Sequence, residues 1–207
     1  MPDTLAIINH YAFGDPPREL KVMTHDITLH VPFIKDIAAE LGSVSSRYAS
    51  ALETLAGGYH VLIYPGGGWD SCRPYRDRDR IDFKGRLGYL RLALEAKVLI
   101  VPVVSAGAQD GWLVLTRGDR IAGLLGLNKH HVDIFPIALA LPWGLVVGPA
   151  VPFIPLPRKV LVSILPPVDP AALVREAGGQ SRAAARLEAI MQAELARLVQ
   201  ELPRSRR

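Results

Sequence analysis

The chain has 207 residues, 49% of them apolar and 21% charged, which suits one domain with a sizeable core and excludes a disordered polypeptide. A single cysteine, Cys72, excludes an internal disulfide and points to a reducing compartment. The net charge is only +4, the arginines from Arg73 to Arg91 alternate with Asp77, Asp79 and Asp82, and no nucleic-acid motif occurs, so nucleic acid is not an expected partner.

In chain order the pattern predicts alternating strands and helices. From Met1-Pro2-Asp3 no signal peptide is expected, and residues 5–8 read as a short buried strand running into Asn9-His10. Asp15-Pro16-Pro17 marks a turn or helix start, because proline fits a first turn. A helix is expected over about 31–41, stopped by Gly42, then a short strand near 43–45 and a helix over 48–55 closed by Gly57-Gly58. Residues 59–64, YHVLIY, read as a buried strand that Pro65-Gly66-Gly67-Gly68 breaks as a loop. Leu87, Leu90 and Leu94 mark an amphipathic helix over 85–96, and 98–104 reads as another interior strand.

The apolar stretch 134–154 is long enough to span a bilayer, but Pro136, Pro142, Pro149 and Pro152 argue against a regular membrane helix. It is expected as a strand over 134–141, a hydrophobic loop or an interfacial segment. Residues 159–164 form the last strand. Residues 181–202 close the chain as an amphipathic helix whose stripe is Leu187, Met191, Leu195, Leu198 and Leu202. The expected fold class is α/β, a central mixed, largely parallel sheet flanked by helices, in one domain over 1–207 with its core at about 5–170. Ligands collect beyond the strand ends of such sheets, where 10–15 and 65–70 fall.

His10 and Asp15 place an imidazole and a carboxylate across a strand-to-helix turn. A carboxylate holding one ring nitrogen fixes the tautomer and leaves the other free to take a proton from a hydroxyl. On spacing alone such a pair is usually structural. The remaining candidates read blandly. His25 and His30 have no obvious second dyad. His130-His131, beside Asp133, would point to opposite faces of a strand, so no metal site is expected. Cys72 reads as a bystander, and no Gly-x-Ser-x-Gly elbow supports a hydrolase.

Four blocks in order change the weight of the His10–Asp15 pair. Asn9-His10-x4-Asp15 resembles motif I of the lysophospholipid and glycerol-phosphate acyltransferase superfamily. Residues 42–47, GSVSSR, resemble its second motif; 64–68, YPGGG, its third; and 100–103, IVPV, its fourth. The resemblance covers about residues 5–170 and implies an acyltransferase-like fold. It implies His10 as general base, Asp15 as its orienting partner, and Arg47, Pro65, Gly66, Gly67 and Gly68 as substrate-binding residues. The donor would be an acyl thioester, acyl-CoA or acyl carrier protein, and the acceptor a lipid hydroxyl, with no bound cofactor or metal.

The commonest third motif carries a glutamate and an arginine where this chain has Gly66 and Trp69. The Pro-Gly-Gly version resembles the branch that includes diacylglycerol acyltransferase-type proteins, which implies a neutral or bulkier acceptor, with Arg73 or Arg76 replacing the missing cation. The resemblance further implies a cytoplasmic protein held peripherally on a membrane surface, for which Trp143 and Phe153 are the contact candidates. The competing expectation is a lipid- or acyl-binding protein on the same fold without turnover.

Overall fold

The computed structural model of the chain describes residues 19–24, 36, 38, 40, 42–111, 113–124, 134–148 and 156–202. Contacts cluster into two units, one of Met1–Pro65, Arg86–Pro102 and Ile164–Ala184, the other of Gly66–Gly85, Val103–Ser163 and Ala185–Arg207.

The first unit holds a three-stranded parallel sheet. Its middle strand is β1 (Leu20–Thr24), flanked by β2 (Ser43–Ser45) and β3 (His60–Leu62). Val22 lies opposite Ser43, and Leu20 opposite His60. The middle strand was not expected. Its sequence LKVMT alternates with period two but carries Lys21, and all five residues are only half-buried, which blunts the apolar signal. The expected strand at 5–8 lies outside the described residues. Asp36, Ala38 and Glu40 are helical, within the span where a helix was expected.

Helix α1 (Tyr48–Ala56) buries Ala51 and ends where the Gly57 amide donates to the Glu53 carbonyl and the Gly58 amide to the Leu55 carbonyl. It packs on β2, β3 and the later helix α3 (Gly88–Ala96). The Tyr48 hydroxyl donates to Glu95 Oε2 at 2.6 Å across those helices. Helix α3 turns Leu90, Leu92 and Ala93 inward, whereas Leu94 of the expected stripe is half-buried.

Helix α5 (Pro170–Ala177) was also missed, although its signals are local. Asp169 Oδ1 accepts from the Ala171 amide at 2.8 Å, Pro170 occupies the first turn, and Gly178 ends the helix in the left-handed region. Asp169→Ala is expected to cost about 1 kcal/mol and lower the thermal midpoint by roughly 2–4 °C, read by circular dichroism. An unchanged midpoint would show that the cap is dispensable.

The second unit contains the short helix α2 (Gly67–Ser71) and two small sheets. In one, β4 (Val103–Ala106) pairs with β8 (Leu161–Ile164). The other is antiparallel, in the order β5 (Leu113–Thr116), β6 (Ile137–Ala140), β7 (Gly144–Val147). Helix α4 (Asp119–Leu124) follows β5. The final helix α6 (Gln180–Glu201) confirms its expected stripe, with Leu187, Leu195 and Leu198 buried.

The expectation of one central, largely parallel sheet is therefore corrected. Among the described residues the protein is mixed α/β, and its strands fall into three small sheets. Proline explains much of this division. Pro102, Pro136 and Pro142 lack the N–H a ladder needs and stand at strand ends, so β4, β6 and β7 stop at four residues each. The strand expected at 98–104 thus begins at Val103, and Ile100 keeps only an isolated bridge to Val168. Gly144, at φ +75°, turns the chain back so that β7 pairs locally with β6. Among the described residues no helix is long and apolar enough to cross a membrane.

Candidate functional site

His10 and Asp15 lie outside the described residues, as do His25, His30, His130, His131, Asp133 and Phe153. The remaining expected site residues are placed by the two units.

In the first unit, Gly42 enters β2 at φ +64°, with its carbonyl accepting from the Val22 amide at 3.2 Å. Arg47 leaves β2 as the exposed N-cap of α1, and its amide donates to Ser45 Oγ at 3.3 Å. Pro65 follows β3, from which Ile63 and Tyr64 separate it. Because β1, β2 and β3 run parallel, Arg47 and Pro65 emerge at the same carboxyl edge of the sheet. Two strand spacings separate β2 from β3, about 10 Å. This is the edge where parallel α/β sheets collect ligands.

In the second unit the Gly66-Gly67-Gly68 run is wound into a helix start rather than an open loop. Gly66 is the N-cap of α2, and a Cβ there would stand 2.4 Å from Asp70 Cβ, so only glycine admits this turn. Gly67 adopts φ +52°. Gly66 and Gly67 thus meet a local conformational demand that is enough to explain their presence.

Trp69, at the position where the resembled motif has a charge, gathers cations instead. Arg117 Cζ lies 4.2 Å from the ring centroid and Lys84 Nζ 4.4 Å. The indole Nε1–H donates to Asp82 at 3.4 Å, and Arg117 Nε donates to the Trp69 carbonyl at 3.1 Å. Arg117 comes from the end of β5, and no local pattern near Trp69 announces it.

Arg73 is buried, 6% exposed. Its guanidinium is ion-paired to Asp70 and donates to the Arg78 carbonyl at 3.2 Å, while its Nε has no hydrogen-bond partner. Arg76 is exposed beside Asp77 at 3.5 Å. Arg73, Arg80 and Arg117, with Asp77 and Asp82, line a pocket of about 30 Å³. That space admits a water or two and no acyl chain. Burial, reinforced by the Arg73 charge, lowers the Arg117 pKa against the pull of Asp77, Asp82 and Asp70. The Lys84 amide, with Trp69 Nε1 and the charges of Arg80 and Arg117, holds Asp82 below the usual carboxylate range. Burial pushes the Cys72 thiol up to about 11 despite the nearby Arg117, which leaves it protonated and unreactive at neutral pH.

The final helix closes this region. Gln192 donates to the Asp79 carbonyl at 2.9 Å and accepts from the Ile81 amide at 2.8 Å. Glu188 accepts from the Phe83 amide, yet burial and the charges of Asp82 and Asp70 raise its pKa. The folded chain therefore holds this proton more tightly than the unfolded chain, and stability falls as pH climbs from 4.5 through the raised value. Glu188→Gln is expected to raise the thermal midpoint at neutral pH by about 1–2 °C and to match the parent in acid below 4.5. A midpoint difference independent of pH would contradict that origin.

Comparison with known proteins finds no matching family model and no matching solved structure. An uncharacterized protein of Mycobacterium leprae is 27% identical over 152 residues, 73% of this chain and 39% of the relative. An uncharacterized protein of Mycobacterium tuberculosis is 29% identical over 152 residues, covering 73% and 40%. Diacylglycerol O-acyltransferase 2 of Dictyostelium discoideum is 27% identical over 97 residues, 46% of this chain and 29% of the relative. The chain spans about two fifths of the length of the mycobacterial relatives. Its similarity to an acyltransferase is distant and partial.

Proposed function

We propose that the chain is an acyltransferase that moves a fatty acyl group from an acyl thioester, acyl-CoA or acyl carrier protein, to a hydroxyl of a glycerolipid or similar lipid. The observation that carries this reading is the order of the four motif blocks from His10 to Val103. The partial likeness to diacylglycerol O-acyltransferase 2 supports it, and so does the emergence of Arg47 and Pro65 at one carboxyl sheet edge.

In this reading Asp15 holds one ring nitrogen of His10, and the other removes the acceptor hydroxyl proton. The oxygen attacks the thioester carbonyl carbon to give a tetrahedral adduct. Collapse breaks the C–S bond, forms the ester and passes the proton to the departing thiolate. Arg47 offers a fixed fork of donors to a carbonyl or phosphate oxygen. The acceptor is neutral or bulky, since Gly66 and Trp69 bring no charge to the third block and Arg73 is engaged by Asp70. The protein works in the cytoplasm as a peripheral enzyme, in a single domain.

Release of free thiol from long-chain acyl-CoAs, with lysophospholipid, monoacylglycerol and diacylglycerol as acceptors, tests the proposal. Acceptor-dependent release that falls about 100-fold or more in His10→Ala is expected. The missing charges of the third block favour a second reading, a lipid- or acyl-binding protein without turnover. Ligand binding with no thiol release, from either donor type, would establish it in place of the first.

A further inference from the structure

The antiparallel sheet of the second unit is apolar on both faces, and only one face is covered. Register places Leu139 opposite Leu145 and Leu113, and Ile137 opposite Val147, on one side. The alternate positions Val114, Ala138 and Ala140 are buried on the other. On the open side Leu139, Leu145 and Val147 are exposed, the last two by 60% and 56%. The turn beyond the strands adds Leu141 and Trp143, with Trp143 61% exposed. These exposed apolar side chains adjoin one another instead of standing singly, the pattern that interaction surfaces show.

Its charge surroundings choose the occupant. From residue 134 to residue 160 there is no Asp or Glu, and the only charges are Arg158 and Lys159, both exposed. Leu113 pairs with Leu139 close to the β6–β7 turn, so the start of β5 lies at the turn end of the sheet. The Leu156 amide donates to the Gly111 carbonyl at 2.8 Å, and the Lys159 carbonyl lies against Gly107, which brings the basic pair in at that same end. In sequence Asp133 adjoins this stretch; Asp110, ahead of β5, is buried with the Arg78 guanidinium 3.6 Å away, and Asp119 follows the far end of β5. A symmetric pairing of two copies would set like charges against like. An anionic bilayer accepts both features, apolar side chains with a tryptophan at headgroup level and cations beside them.

We infer that the open face of β6 and β7, with Trp143 at its tip, is a docking surface for an anionic lipid bilayer. The inference rests on the peripheral membrane association in the proposed function, not on its acyl transfer, and survives if that activity is absent. It is tested by co-sedimentation of the full chain with vesicles of phosphatidylcholine alone and of phosphatidylcholine mixed with phosphatidylglycerol. Binding is expected to favour the mixed vesicles. Leu145→Glu and Trp143→Ala change exposed side chains, and each is expected to lower the bound fraction about tenfold, with circular dichroism unchanged. Arg158→Gln with Lys159→Gln is expected to abolish the preference for phosphatidylglycerol, at about fivefold per charge. Undiminished binding by folded Leu145→Glu would overturn the inference, as would failure of the parent to bind either vesicle. So would a parent dimer in solution that Leu145→Glu makes monomeric, which would assign the face to a second copy.

Discussion

His10→Ala is expected to lower acyl transfer by about 10²–10⁴-fold, the range that a positioned general base contributes. The residue supplies no covalent intermediate in the proposed reaction, so residual turnover through bound water is expected rather than complete loss. Asp15→Asn should retain part of the rate, because an amide still accepts or donates one hydrogen bond but no longer steadies the imidazolium. The pH profile adds a readout that simple misfolding would not reproduce. The base works only when neutral, so the parent rate should fall in acid, and the residual activity of His10→Ala should not follow that fall. Thiol release from acyl-CoA measures each arm. A folded His10→Ala protein with parental rate would remove the proposed mechanism.

Gly118→Ala is expected to destabilise the protein by about 3 kcal/mol or more, a fall in thermal midpoint of roughly 6–12 °C. Two causes add. Gly118 sits at φ +63°, which costs an L-residue about 1–2 kcal/mol. A Cβ at this position would also stand 1.9 Å from the Phe135 carbonyl oxygen and 2.8 Å from its carbon. Those are backbone atoms that cannot swing aside, and the neighbouring Arg117 carbonyl accepts from the Phe135 amide at 2.9 Å. Gly144 separates the causes, since it has φ +75° but open space where its Cβ would go. Gly144→Ala should show the backbone cost alone. Equal losses for the two variants, read by denaturant unfolding, would sink the steric argument.

The legible parts of this chain are those whose information is local and repeated. The stripe of α6 was readable because its period recurs over 22 residues, and α1 because glycines close it. Strand β1 escaped because five residues carry little periodicity when a lysine stands among them and burial is partial. The stretch 134–154 was recognised as greasy and proline-broken, but its hairpin pairing depends on the turn at Gly144 and on β5, which was not foreseen. Arg73 was foreseen as a cation near the third block. Arg117, Glu188 and Gln192 were not, since only folding brings residues so distant in sequence to Trp69, Phe83 and Asp79. His10 and Asp15 owe their legibility to the order of the surrounding blocks and not to spacing.

The Gln192 amide has one further consequence. By donating to residue 79 and accepting from residue 81, a single side chain on the last helix does for this loop what a neighbouring strand does within a sheet. The helix thus braces the loop that carries the pocket-lining Arg80 and is not a trailing appendage. Shortening the chain ahead of residue 192 would act on Asp79 and Ile81 as directly as a substitution there, so the boundaries of the pocket and of the helix cannot be chosen independently.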